Sequence, residues 1–217
     1  MMSFIVSSYQ KIISFLEALK FIPLLSLRLY LAPIFIGAGW HKFVHFDDVV
    51  AWFGNTEWGL GLPAPDLMLS LTIIAELIGG FALLFGLATR LFAFLLTITM
   101  IVAIVTVHWQ HGWFAITPTT AETSTAWILN KIGFWGSADS LANTAEAAMR
   151  LARARDILQE HGNYQWLTET GNFVILNNGI EFAATYLIML ITLLCCGAGR
   201  YLSVDFWLKR LYSRTKA

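Results

Sequence analysis

"LFAFLLTITMIVAIVT", residues 91–106, is a run of sixteen residues without a charge, and it leads straight into "VHWQHGW", residues 107–113, where two histidines three apart stand between two tryptophans. Taken from Arg90 to His108, the stretch makes a helix about 28 Å long at 1.5 Å per residue. That length matches the hydrocarbon core of a bilayer, roughly 30 Å thick. A helix apolar on every face has no water-facing side, so either a large core or lipid must surround it.

Composition decides between the two. Apolar residues make up 57% of the 217-residue chain and charged residues 13%, about half the charged share of a soluble protein. Too few charges are present to furnish a water-exposed surface, and lipid must be the solvent for much of the chain. Formal net charge is zero and no basic block occurs, which removes nucleic acid from the partners considered. Cys195 and Cys196 are adjacent inside an apolar run. Neighbours on a helix point apart, so they are read as two small hydrophobes in a packed helix, not a disulfide.

Four segments satisfy the length requirement for spans: 23–42, interrupted by Arg28; 67–88, interrupted by Glu76; 90–108; and 180–199. Ahead of them, Ile5, Tyr9, Ile12, Leu16 and Leu19 recur at spacings of four and three, with Ser8, Lys11 and Lys20 elsewhere on the wheel. Residues 1–22 are therefore expected to form a helix lying at the membrane surface rather than a cleaved signal peptide, since no basic stretch precedes the apolar part. Four spans put both termini on one side. That side carries nine basic residues (Lys11, Lys20, Arg28, Arg90, Arg200, Lys209, Arg210, Arg214 and Lys216), against Lys42 alone near the spans on the other. The positive-inside rule then predicts both termini, including the tail 200–217, in the cytoplasm, and residues 43–66 and 109–179 outside, in the periplasm of a Gram-negative host.

The outer segment 109–179 is too long for a plain loop. "DSLANTAEAAMRLARARDILQEH", 139–161, is rich in helix formers and stops at Gly162, which predicts an amphipathic helix. "YQWLTETGNFVIL", 164–176, has two short apolar runs around a polar turn and is expected to form a hairpin. "GLGLPA", 59–64, mimics a dinucleotide fingerprint but follows no strand and contains Pro63, so it is read as a rigid turn before the second span.

With this threading, His41 and His45 end the first span, while His108 and His111 end the third. All four imidazoles are expected at the outer mouth, each pair on one helical face, where copper or zinc would find suitable nitrogens. A heme b there is the poorer candidate. The sharper signal is Glu76, about nine residues and so roughly 14 Å into its span, where a bare carboxylate is costly. Gly79, Gly80 and Leu83 share its face, which points it into the bundle. Glu181 opens the fourth span at the outer side, and Arg28 enters the first from the inner one; whether Arg28 reaches Glu76 is left open at this point. These acids suit a proton or quinone site as well as a polar network that fixes packing.

"LRLYLAPIFIGAGWHKF", "ELIGGFALLFGLATR", "NNGIEFAATYLIML" and "GAGRYLSVDFW" resemble the DoxX family of small bacterial membrane proteins. On that resemblance, the recurrent polar positions fall on Arg28, Lys42, Glu76, Arg90 and Glu181. "WFGNTEWGLGLPAP" and "MIVAIVTVHWQHGW" are similar to the HvfX branch, which implies an inner-membrane accessory protein in the maturation of copper-binding ribosomal peptides, working beside a peptide-modifying enzyme. DoxD-type relatives imply instead the membrane subunit of a quinone-linked oxidoreductase, with Glu76, Glu181 and Arg28 in the chemistry and Lys42 and Arg90 near the cofactor. A small transporter is the weaker third reading, because no paired broken helices mark inverted repeats. The expected fold is an all-α membrane protein, a bundle of four transmembrane helices with an interfacial N-terminal helix and an outer helical insertion between the third and fourth spans.

Overall fold

The computed structural model describes residues 2–215. Among them are ten α-helices: α1 (Met2–Leu19), α2 (Phe21–Val44), α3 (Phe46–Gly54), α4 (Pro65–Phe85), α5 (Thr89–Ala103), α6 (Thr125–Lys131), α7 (Ser137–His161), α8 (Tyr164–Leu167), α9 (Glu181–Cys196) and α10 (Val204–Thr215). The chain divides into two compact units, Met1–Ala103 with Thr185–Ala217, and Ile104–Ala184.

Three helical stretches are long and apolar enough to cross a membrane: Tyr9–Val44, Pro65–Phe85 and Thr89–His111. The third is α5 prolonged by a π-helical turn, Ile104–His108, and a 3-10 turn, Trp109–His111. The last predicted span appears as α9, which is apolar but only 16 residues long. At about 24 Å it falls short of the hydrocarbon thickness without its flanking turns. Over the stretch expected to form a surface helix the chain is helical, as α1, yet α1 is barely separate from α2 and the apolar stretch Tyr9–Val44 includes much of it. Lys20 alone divides them, and it keeps helical angles (φ −54°, ψ −21°). Side chains of Ile5 and Ser8, two positions of the predicted stripe, lie outside the described residues, as does Lys216 of the tail.

In the first unit, α2 and α4 share the closest seam, and glycine makes it possible. A Cβ at position 80 would come within 2.7 Å of Ile36 Cγ1 and 3.1 Å of the Ala32 carbonyl oxygen; one at position 39 would meet Leu77 N at 2.9 Å and Glu76 Cβ at 3.0 Å. Without side chains at these two crossings the backbones approach directly, the usual solution where lipid offers helices no hydrophobic drive to associate. Gly79, one residue on, faces Leu96 of α5. The Gly79–Gly80 pair thus seats α4 between two neighbours. Leu31, Ala32, Phe35, Leu69, Leu83, Leu96, Leu190 and Leu193 are buried in this unit, and Tyr186 of α9 meets Phe35 and Tyr30 of α2 at ring separations of 6.4 and 6.5 Å. Large apolar side chains also face outward, among them Leu29, Ile74, Ile78, Phe81, Leu91 and Phe94. Lipid is the medium that accommodates such a surface.

Beyond α2, α3 folds over α4 through Phe53, Leu69 and Ile73. The following turn explains the glycines of "GLGLPA". Asn55 Oδ1 accepts from the N–H groups of Glu57 (2.7 Å) and Trp58 (3.0 Å), and Leu60 and Leu62 donate back to the carbonyls of Trp52 (2.9 Å) and Phe53 (2.8 Å). The chain passes so close to the Trp52 carbonyl that position 59 has no room for a Cβ. Cys195 and Cys196 form no disulfide, and both are exposed, so they do not sit in a packed interior as expected.

In the second unit, α7 buries Ser137, Thr144, Ala147 and Leu151, a stripe at spacings of seven, three and four, as an amphipathic helix should. The expected hairpin at 164–176 is not formed. Residues 164–167 turn into α8, its start capped by the Asn163 side chain. The chain beyond pairs instead with the segment after the third span. Thr117 N donates to Ile175 O (3.1 Å), Asn177 N to Ala115 O (2.8 Å), and Gly179 N to Phe114 O (3.0 Å), around a single antiparallel bridge between Ile116 and Leu176. The apolar run 173–176 does pair as a strand would, but its partner is distant in sequence rather than across a local turn.

The two glycine environments give opposite expectations. Gly80→Val drives side-chain atoms into Ile36 and should lower stability by about 1–3 kcal/mol, the usual range for overpacking. At Gly37 a Cβ would meet nothing within 4 Å, so this position should accept Ala with no loss. Denaturant unfolding of both variants in detergent micelles checks the pair.

Candidate functional site

Lys42 and Glu76 form an ion pair between α2 and α4. The ammonium Nζ donates to both carboxylate oxygens, at 2.9 Å to Oε1 and 2.7 Å to Oε2. Only 3% of the Glu76 side chain is exposed against 24% of Lys42. The carboxylate is reached from outside past the ammonium. Local geometry accounts for the contact. Gly39 lies level with Glu76, and Lys42 follows it by three residues, one turn further along α2. Helical side chains lean toward the N-terminus, so the Lys42 ammonium is directed back toward the level of Glu76, while Gly39 lets the α4 backbone come close enough to be reached.

Such a pair meets the requirement that a charge in hydrocarbon be compensated. Removing one member of a buried pair leaves the other uncompensated, at about 3–5 kcal/mol. It also has chemical capacity. Transfer of one proton from Lys42 to Glu76 leaves two neutral groups and changes no net charge, whereas uptake or loss of a proton leaves one member charged without its partner, a cost that a substrate charge or water at the Lys42 side must offset.

Arg28 does not join this site. Fourteen residues separate it from Lys42 along α2, about 21 Å of rise, and its guanidinium is committed elsewhere. Nε donates to Leu83 O (2.7 Å), Nη2 to Leu84 O (2.9 Å), and Nη1 to both Ala198 O and Leu202 O (2.9 Å each). The residue is 1% exposed. These carbonyls belong to the end of α4 and to the turn after α9, where helix ends leave acceptors unsatisfied. Arg28 is thus a clasp at that end of the unit, and the partner of Glu76 is Lys42.

Nearby, Asp205 of α10 accepts from the backbone N–H groups of Ala88 (2.7 Å) and Thr89 (2.9 Å), closing the start of α5. Sequence reading missed this acid, which stands in the first turn of α10, a helix not expected within the tail. Arg90 donates to Cys195 O at 3.0 Å, at the end of α9.

The remaining candidates lie as follows. In the first unit the rings of His41 and His45 stand 4.6 Å apart, both side chains exposed. His108 and His111 belong to the second unit, where His108 Nδ1 bonds the Asn178 carbonyl at 2.8 Å and the Asn177 side chain bonds the His111 carbonyl. Within neither unit do three or more His, Cys, Asp or Glu side chains among the described residues gather as a ligand set. Glu181 accepts from Ala115 N–H at 3.0 Å, and its own N–H donates to Trp113 O at 2.9 Å. Together these bonds fasten the beginning of α9 to the segment after the third span.

No solved structure matches the chain. A Bacillus subtilis (strain 168) protein named "Putative oxidoreductase CatD" is 39% identical over 83 residues, which is 38% of this chain and 58% of that relative. The alignment therefore covers little more than half of the curated relative's length. Residues 23–109, which hold α2 to α5 with Arg28, Lys42, Glu76 and Arg90, match the family model described as DoxX.

Proposed function

We propose that this chain is a DoxX-type accessory protein of the bacterial inner membrane, with both termini cytoplasmic, that serves a redox system by exchanging protons at the Lys42–Glu76 pair. The observation that carries the reading is that pair: a carboxylate 3% exposed, bound by both oxygens to one ammonium inside the helical unit. The similarity to a protein named as an oxidoreductase supports it. A quinol as substrate gives up two electrons and two protons on oxidation. In this reading both electrons pass to a partner enzyme, one proton goes to Glu76 and the other to water outside the bundle, and Lys42 orients the substrate oxygen; Glu76 returns its proton to water before the next turnover. Arg28 and Arg90 act by holding the opposite end of the helices, and Glu181 by fixing the start of α9.

A second reading concerns the system served. The HvfX-like features of the sequence favour maturation of copper-binding ribosomal peptides, with a peptide-modifying enzyme as partner. The specific observation is the His41–His45 pair, two exposed imidazoles 4.6 Å apart on either side of Lys42 in the chain. Two nitrogens make half of a four-ligand site, and a cysteine-rich peptide is the kind of partner that completes it.

Glu76→Gln keeps the shape and removes the proton acceptor. Membranes carrying it should show quinol turnover at least tenfold lower with unchanged protein abundance, toward the 10²–10⁴-fold range typical of a lost acid–base group; equal turnover sinks the proton role. The copper reading expects that purified protein loaded with copper and the peptide loses most of its metal when His41 and His45 are both replaced by Ala. Metal content by elemental analysis decides it, and an unchanged value removes these histidines from the site.

A further inference from the structure

At the opposite end of the first unit, where α2 begins and α4 ends, lies an open cleft of about 1080 Å³ between α1, the start of α5, the turn after α9, and α10. Lys42 is twenty-one residues further along α2 than Phe21 in the cleft wall, about 32 Å of helical rise. The cleft therefore has no part in the ion-pair site and does not rest on the redox reading.

Its charge is one-sided. Lys20, Arg90, Arg200, Lys209 and Arg210 line it against two acids, Glu17 and Asp205, a surplus of three positive charges. Both acids are already committed. Glu17 pairs with Lys20, and each Asp205 oxygen accepts a backbone N–H at the start of α5. Among the described residues, no carboxylate lies within 4.0 Å of Arg200, Lys209 or Arg210. Three cations thus line an open space without a carboxylate partner, Arg210 with its guanidinium 5.6 Å from the Trp207 ring.

The shape of α10 identifies the occupant. Phe206, Lys209, Arg210 and Ser213 face the cleft, at helical spacings of three and four. Trp207, Leu208 and Leu211 lie on another face and are about half exposed. A short helix with basic residues on one side and Trp and Leu on the other is the form that lies at a bilayer boundary. Phe21, Leu24 and Leu91 extend the cleft wall into the apolar surface of the spanning helices. A ligand here meets cations at one end and hydrocarbon at the other. We propose that the cleft binds an anionic phospholipid, its phosphate among Arg200, Lys209 and Arg210 and its acyl chains along Phe21, Leu24 and Leu91. Basic pockets between spanning helices at the headgroup level hold such lipids by the same combination. A soluble phosphate would use the cations but gain nothing from the apolar wall.

The test compares the full chain in mild detergent with phosphatidylglycerol, phosphatidylcholine or inorganic phosphate, reading bound lipid by native mass spectrometry and stability by thermal unfolding. Phosphatidylglycerol should remain bound and raise the unfolding temperature, whereas the other two should do neither. The R200Q/K209Q/R210Q variant, altered only at exposed side chains, should lose phosphatidylglycerol affinity on the order of a hundredfold, as removal of three basic groups near a charged headgroup implies. Its unfolding temperature without lipid should match the parent. An R200K/R210K variant keeps the charge and should keep the lipid, which separates loss of charge from loss of fold. Equal retention of phosphatidylcholine, undiminished retention by the glutamine variant, or equal stabilisation by inorganic phosphate would each overturn the assignment, the last by showing a site for soluble anions.

Discussion

In hydrocarbon there is no water to complete an unfinished hydrogen bond, so every polar group within the spanning part must find its partner in the protein. Arg28 shows how such a demand is met, whereas the buried hydroxyls of Thr89 and Thr97 in α5 find no partner among the described residues. The Arg28 guanidinium makes four hydrogen bonds to four carbonyls, two at the end of α4 and two around the turn after α9. Those carbonyls lie at helix ends, where the intrahelical ladder stops. One side chain from α2 therefore completes both termini, and it ties three segments that are far apart in sequence. Asp205 does the complementary task from α10, supplying acceptors to the exposed N–H groups that start α5. The end of the unit is assembled from unmet backbone groups more than from apolar contact.

At the other end the same constraint produces a different solution. Glu76 needs a cation, and Lys42 can supply it only if α2 and α4 come together closely enough for its stem to lie between them. Gly39 and Gly80 provide that approach. The seam and the ion pair depend on each other: close packing positions the charges, and the charges reward the packing that hides them. The same two small residues that fix the helix crossing thereby determine which polar groups meet.

Much of this was legible in the sequence because lipid enforces simple rules. Uninterrupted apolar length located the helices to within a few residues at α2, α4 and α5. Glu76 stood out as an acid in the middle of such a run, and its glycine-rich face correctly pointed inward. Pairing was less legible. Depth counted from predicted span ends left the partner of Glu76 open, since helix ends on neighbouring spans need not stand at one height. The Gly39-x-x-Lys42 spacing was the signal for the true partner, and it becomes meaningful once Gly39 is known to abut Glu76. The misread segment, 164–176, failed for another reason. Its apolar run 173–176 reported a β-type pairing, but a run within one segment says nothing about where its partner lies, and here the partner is far earlier in the chain, at Ile116.

The two cations of α2, the buried Arg28 and the half-buried Lys42, also differ in what they can do. A guanidinium stays protonated in proteins, and the one at Arg28 donates only to carbonyls, none able to accept a proton. It can hold structure but cannot carry a proton from one place to another. Lys42 and Glu76 are a donor and an acceptor 2.7 Å apart, with one member partly open to the outside. Proton movement between them alters no net charge in the low-dielectric interior, where an uncompensated ion is most costly. Within the first unit the Lys42–Glu76 pair is thus where a proton donor and a proton acceptor stand together, while Arg28 holds the end of α4 to the turn after α9.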